Sequence, residues 1–270
     1  MFKKKILALT AAVLLTLSMS VANAETLSDS KNTSNPDRVK NILKQAAELD
    51  QSGASLEEVI SFKESQGLQV LDVSEVYVDL YGNEINPNGI GTLALDAAYR
   101  KITNTMDYDP QTGEYNIYGK IEHIADLGQG WMHEPHPASY DVVSADWNSD
   151  LLQYRSWGLL SGSSSNFWLN DATQREKGSL LFNLKDNFPG GTSIHFYVEL
   201  RKAGSKTGTT STQIRYTHTY DKTAKTTTYS GNASYQWGNP GPSFGVTYTV
   251  LTTQVEANWS RSGTTSFSVR

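Results

Sequence analysis

Between Pro36 and Gly67 the apolar residues of the chain fall at spacings of three and four; beyond Gly67 they fall at every second position. The first period belongs to amphipathic helices and the second to half-buried strands. Val39, Ile42, Leu43, Ala46 and Leu49 follow Pro36, which suits the opening position of a helix because it has no amide hydrogen to leave unpaired. A second helix is expected from Ser55, with Glu58 three residues on completing a capping box and Gly67 ending it. Leu56, Val59, Ile60 and Lys63 are spaced around its turns. Together these predict a small helical hairpin over 36–70, ahead of a β domain over 71–270.

Alternation is cleanest in the last third. Ile194, Phe196, Val198 and Leu200 face one way and His195, Tyr197, Glu199 and Arg201 the other; Leu180, Phe182 and Leu184 repeat the pattern. Ile214, Tyr216, His218 and Tyr220 share a face, as do Tyr229, Ala233, Tyr235 and Trp237, then Val246, Tyr248 and Val250, then Val255, Ala257 and Trp259, and finally Phe267 and Val269. Turn chemistry separates the runs at LYGNE (80–84), DYDPQTGEY (107–115), FPGG (188–191) and YDKTAK (220–225). Residues 86–104 interrupt the pattern with an Ala- and Leu-rich stretch that reads as a short helix or a loop. With roughly eight to ten such strands and no helical period between them, the expected fold is mainly β: an antiparallel β-sandwich of Greek-key or jelly-roll type.

The beginning of the chain has a different logic. Lys3, Lys4 and Lys5, an apolar run from Ile6 to about Val21 and Ala22-Asn23-Ala24 predict a secretory signal peptide over 1–24. The polar stretch ETLSDSKNTSN (25–35) is expected to be a disordered leader, because it buries too little to offset its ordering entropy. No later stretch reaches the roughly 18 apolar residues of a spanning helix, so the mature chain is expected to be secreted and extracellular, without a transmembrane segment. The chain contains no cysteine, which removes disulfides and thiolate metal sites from consideration. Losing Lys3, Lys4 and Lys5 with the signal peptide takes the formal charge from −5 to −8. Such an acidic chain is a poor partner for nucleic acid or anionic lipid, both of which are held by clustered Lys and Arg.

Candidate chemistry concentrates at WMHEPHP, residues 131–137. A zinc protease needs two histidines four apart on a helix, whereas His133 and His136 are three apart and Pro135 and Pro137 forbid the helix. A loop-borne site joining His133, Glu134 and His136 to Asp141 or His123 would still have suitable donors. Trp131, Trp147, Trp157 and Trp168, interleaved with Asn and Asp, are the composition of a sugar-stacking platform, although tryptophans of a sandwich also fill its core. Glu122, Asp126, Glu134, Asp141, Asp146 and Asp150 supply enough acids for a glycosidase pair, but spacing in the chain does not set spacing in the fold. Asp107, Asp109 and Glu114 outline a calcium loop without its required glycine and glutamate positions, and a proline-initiated turn explains them more simply. Gly89, Gly91 and Ala94 imitate a dinucleotide fingerprint but follow Asn-Pro-Asn instead of a buried strand. His218, between two tyrosines on an apolar face, reads as a satisfied core histidine.

The expectation is therefore a secreted, non-catalytic binding or interaction protein, with ligand-binding residues Trp131, His133, Glu134, His136, Trp147 and Trp157. Its partner would be an extracellular or cell-envelope glycan or protein, and it would need no cofactor and no metal. Two other classes stand beside it. One is a secreted glycan-active hydrolase using residues of 122–150. The other is a membrane-active or antimicrobial β protein, because Thr-rich, weakly charged alternating strands fill 223–270.

Overall fold

The computed structural model describes residues 37–86, 99–124, 140–162, 165–185, 191–221, 234–237, 246, 248–251 and 256–270. The expected signal peptide and leader lie outside them. Two helices come first, α1 (Arg38–Gln51) and α2 (Leu56–Ser65). Ser55 caps α2 with the expected reciprocal pair: its hydroxyl accepts from the Glu58 amide at 3.3 Å, and the Glu58 carboxylate accepts from the Ser55 amide at 2.8 Å. Gly67, at φ +88°, turns the chain out of the helix in a conformation that favours glycine.

Thirteen strands follow among the described residues. One sheet has the order β2-β1-β3-β4-β9-β6, from β1 (Gln69–Val78), β2 (Glu84–Ile85), β3 (Arg100–Asp109), β4 (Glu114–His123), β6 (Leu152–Ser161) and β9 (Thr192–Lys202). The second has the order β13-β10-β5-β8-β7, from β5 (Asp141–Trp147), β7 (Phe167–Asp171), β8 (Ser179–Leu184), β10 (Gly208–Asp221) and β13 (Glu256–Val269). Every pairing is antiparallel. A separate two-stranded sheet pairs β11 (Ser234–Trp237) with β12 (Tyr248–Leu251). Among the described residues no helix is long and apolar enough to cross a membrane.

The two large sheets stack face to face as a β-sandwich. Ile102, Met106, Ile117 and Phe196 from the first meet Val143, Phe182, Ile214 and Tyr216 from the second in one buried cluster. The Phe182 and Phe196 rings lie 5.2 Å apart across the layers. Gly119 sits between inward-facing Ile117 and Ile121 because a side chain there would meet the Phe196 ring, which comes within 2.4 Å of where its Cβ would stand.

Two stretches depart from the sequence reading. Residues 100–104 are not loop or helix but the start of β3, and β13 runs unbroken from Glu256 to Val269 where two separate runs were expected. Both strands place polar or small residues on the inner face, which hides their period. Asn104 is fully buried there, its amide donating to the carbonyls of Thr212 and Gly263 at 3.1 Å each, so one side chain ties the two sheets together. Gly263 and Thr265 take the facing inward positions of β13. The outer edge of β13 is also engaged: the Ser266 amide donates to Asp72 at 2.7 Å and the Thr264 amide to Ser74 at 3.2 Å.

The helical hairpin covers the outer face of the six-stranded sheet. Ile42, Leu43 and Ala47 of α1 pack on Tyr118, Leu160 and Tyr197, and each fully buried aliphatic side chain contributes roughly 1.5–3 kcal/mol. Two ion pairs reinforce the joint, Arg38–Asp109 at 3.0 Å and Lys63–Asp107 at 2.8 Å. Lys63 and Asp107 are both buried, and the ammonium also lies 3.9 Å from the centre of the Tyr118 ring. Asp109 accepts in addition from the Gln111 amide and the Thr112 hydroxyl, at 3.0 Å each. Asp107 and Asp109 of DYDPQTGE thus anchor the helices, Asp109 also holds the hairpin turn, and Glu114 pairs with Arg155 of β6.

Candidate functional site

The register of three neighbouring strands sets Lys120 of β4 opposite His195 of β9, and His195 opposite Ser161 of β6. Cross-strand partners share a face, so the three form a row on the outer side of the sheet, where α1 ends above them with Asp50. The Asp50 carboxylate binds His195 Nε2 at 2.7 Å and Lys120 Nζ at 2.7 Å, and Lys120 also reaches Glu122 at 2.8 Å. On the other side of the imidazole, His195 Nδ1 lies 2.5 Å from the Ser161 hydroxyl.

Electrostatics fixes the protons. Burial pushes the Asp50 carboxyl up, but the hydrogen bonds from His195 and Lys120 and the attraction of both outweigh it and hold its pKa down at about 2. For His195 the balance is reversed: burial lowers its pKa further than Asp50 raises it. The ring is therefore neutral near pH 7, donates from Nε2 to Asp50 and accepts the Ser161 proton at Nδ1.

Hydroxyl, imidazole and carboxylate in this order resemble the nucleophile, base and orienting group of acyl transfer. The surroundings do not support that chemistry. The His195 side chain has no exposed surface, and neither it nor Ser161 lines the clefts beside it. Through Asp50 the row clamps the end of α1 to the sheet.

Two clefts open on either side of this clamp and share Asp50, Gly53, Lys120 and Glu122 as their common wall. One, of about 280 Å³, runs between α2 and strands β1, β3 and β4, where Lys101 pairs with Glu75 at 2.5 Å. The other, of about 520 Å³, lies against Asn166 and the start of β9 at Thr192 and Ser193. Tyr118 lines the smaller cleft with only 3% of its surface exposed, and its hydroxyl has no hydrogen-bond partner among the described residues. Burial, with the negative charge of Asp50 and Asp107, pushes that phenol well above its ordinary range, so it remains a neutral donor.

Of the expected site residues, only Trp147 and Trp157 are among those described. Trp131, His133, Glu134 and His136 lie outside the described residues. Trp147 is a correction: it is fully buried, stacked 6.3 Å from the Tyr154 ring, so neither face is free for a ligand. Trp157 leans inward, 5.1 Å from Phe182, and packs on the core. Trp168 sits edge-on to Tyr140 at 5.0 Å. These three tryptophans form no common platform.

The acids scatter as well. Asp146 is buried between the hydroxyls of Ser144 and Ser179, at 2.6 and 2.5 Å, Asp150 is exposed, and Glu122 belongs to the clamp. Asp141 holds the Tyr216 hydroxyl at 2.5 Å and His218 at 3.2 Å inside a buried polar cluster that also contains Tyr99, Arg100 and His123. His218 is the satisfied core histidine its neighbours predicted. Among the described residues no group of three His, Asp or Glu side chains is arranged to hold a metal ion.

No protein-family model matches the chain, and no curated protein matches it. Among solved structures it is similar to the seventh ScaB type I cohesin from Pseudobacteroides cellulosolvens, at 13% identity and a TM-score of 0.28, over 44% of this chain and 77% of that one.

Of the residues that build the clamp, the sequence offers Glu122 as a candidate acid but gives no sign of Asp50, Lys120 or Ser161 as its neighbours. His195, Glu199 and Arg201 were placed on a face opposite the core, which is correct, but nothing in the strand showed that α1 would cover part of it. The available signal was Lys63, a charged residue among the apolar positions of α2, which called for a buried acid across the joint.

Proposed function

We propose that this is an exported, non-catalytic binding protein that takes a polar partner, a glycan or an exposed peptide segment of another protein, in the double cleft around Asp50, Lys120 and Glu122. The observation that carries the reading is the Tyr118 hydroxyl. A buried donor without a partner costs free energy, and a ligand that displaces the side chains closed over this hydroxyl would satisfy it, while Lys101, Glu75, Lys120 and Glu122 offer charged donors and acceptors around the rim. Clefts of this size that combine an apolar wall with a few fixed polar groups are the usual form of a binding site.

The test is a thermal-shift and calorimetry screen of oligosaccharides and peptides against wild type, Tyr118→Phe and Lys120→Ala. A ligand is expected to raise the melting temperature of wild type and to bind Tyr118→Phe about tenfold more weakly, the loss of roughly one hydrogen bond. Equal affinity for wild type and Tyr118→Phe removes the cleft as the site.

A further inference from the structure

Beneath the helical hairpin, β3 and β4 form a ladder of four cross-strand pairs on one face: Lys101–Glu122, Thr103–Lys120, Thr105–Tyr118 and Asp107–Asn116. Successive rungs are two residues apart along each strand and so about 6.6 Å apart in space. The first three line the smaller cleft. The fourth is buried beyond Lys63, which lines the cleft and donates to Asp107 Oδ2 at 2.8 Å.

The polar atoms of that fourth rung are largely unpaired. Asn116 is 1% exposed, and neither its Oδ1 nor its Nδ2 has a hydrogen-bond partner among the described residues. The same holds for Asp107 Oδ1 and, one rung away, for the Tyr118 hydroxyl. Their neighbours are engaged elsewhere: Lys63 takes the other oxygen of Asp107, and Glu199, opposite Asn116 on β9, accepts from the Ser156 hydroxyl at 2.6 Å. Burial pushes the Asp107 carboxyl up against the pull of Lys63. Buried polar groups are nearly always hydrogen-bonded. Four unpaired atoms on adjacent rungs, continuous with a cleft, therefore point to a ligand that carries donors and acceptors together.

Charge and topology narrow its class. Every lysine lining the cleft is already matched, Lys63 with Asp107, Lys101 with Glu75, and Lys120 with Asp50 and Glu122. An anionic group meets no spare cation there, and a cationic group approaching Asp107 meets the Lys63 ammonium. β1, β3 and β4 each have a strand on both sides, so the floor offers no open edge on which a peptide backbone could form a ladder. Neutral hydroxyl groups, each donor and acceptor at once, match an amide, a carboxylate oxygen and a phenol.

We propose that the Asp107–Asn116 rung is the innermost subsite of the smaller cleft and takes the terminal sugar of a neutral oligosaccharide. This rests on the cleft reading above and goes beyond it by choosing the glycan over the peptide. The terminal sugar enters past Lys63, whose side chain moves to admit it. One sugar hydroxyl donates to Asp107 Oδ1, and others accept from Asn116 Nδ2 and donate to Asn116 Oδ1.

The test is calorimetry of wild type, Asn116→Leu and Asn116→Ala with gluco-, xylo- and manno-oligosaccharides, an oligogalacturonate serving as the charged control and an uncharged peptide containing Ser and Asn as the backbone control. A neutral oligosaccharide is expected to bind wild type, and both variants to bind it at least tenfold more weakly. Without sugar, Asn116→Leu should melt no lower than wild type, because it removes two unpaired atoms from the interior. Asn116→Ala, which adds no bulk, keeps the affinity comparison readable where leucine does not fit. Equal sugar affinity in wild type and both variants overturns the subsite and leaves the cleft reading standing. Binding of the peptide or the oligogalacturonate alone overturns the sugar assignment and also leaves the cleft. Binding of none of these probes overturns both.

Discussion

Asp146 shows how far one residue can carry a pH dependence. Burial pushes its carboxyl up to about 6, against the hydrogen bonds from Ser144 and Ser179 and the attraction of Arg215. A folded-state pKa above the unfolded value of 3.8 means that the native state binds the proton more tightly. The resulting stability is present below about pH 4 and is lost as pH rises through 6, a difference on the order of 3 kcal/mol. His195 acts in the opposite sense: its lowered pKa costs stability as pH falls below its ordinary range. Subtracting the urea stability of Asp146→Asn from that of wild type isolates the first effect. The difference should fall steadily from pH 4 to 6, with the variant at least as stable as wild type at pH 8. A flat difference would mean that the carboxylate is solvated.

At the scale of elements, the joint between the helical hairpin and the sheet depends on pairing charges that cannot reach water. Lys63→Met leaves Asp107 buried without its cation and should cost roughly 3–5 kcal/mol in urea unfolding, most of it recovered by adding Asp107→Asn. A loss below about 1 kcal/mol for the single variant would show that water already reaches the pair. The same joint marks what the sequence disclosed and what it withheld. The period of Ile194 to Leu200 gave the inner face of β9 directly, because each of those side chains meets the opposite sheet. The capping box at Ser55 was equally plain, since it is a contact within four residues. Arg100 and Asn104 concealed β3, because a polar side chain satisfied by a distant strand looks like a break in the pattern. The Asp50–His195–Ser161 row was out of reach for the same reason: its members lie far apart in the chain, and only strand register brings them together.

At the scale of the whole molecule, the two sheets also meet along the edge of β13. β13 is an edge of the five-stranded sheet, and its Thr264 and Ser266 amides are taken up by Ser74 and Asp72 of the opposite layer. An edge of fourteen residues, rich in Ser and Thr and nearly free of charge, is otherwise a template on which a second chain can add a strand. Asp72 and Ser74 therefore serve as stoppers against cross-β stacking. With both changed to alanine, the folded protein should seed fibres that raise thioflavin fluorescence within hours under conditions where wild type stays monomeric.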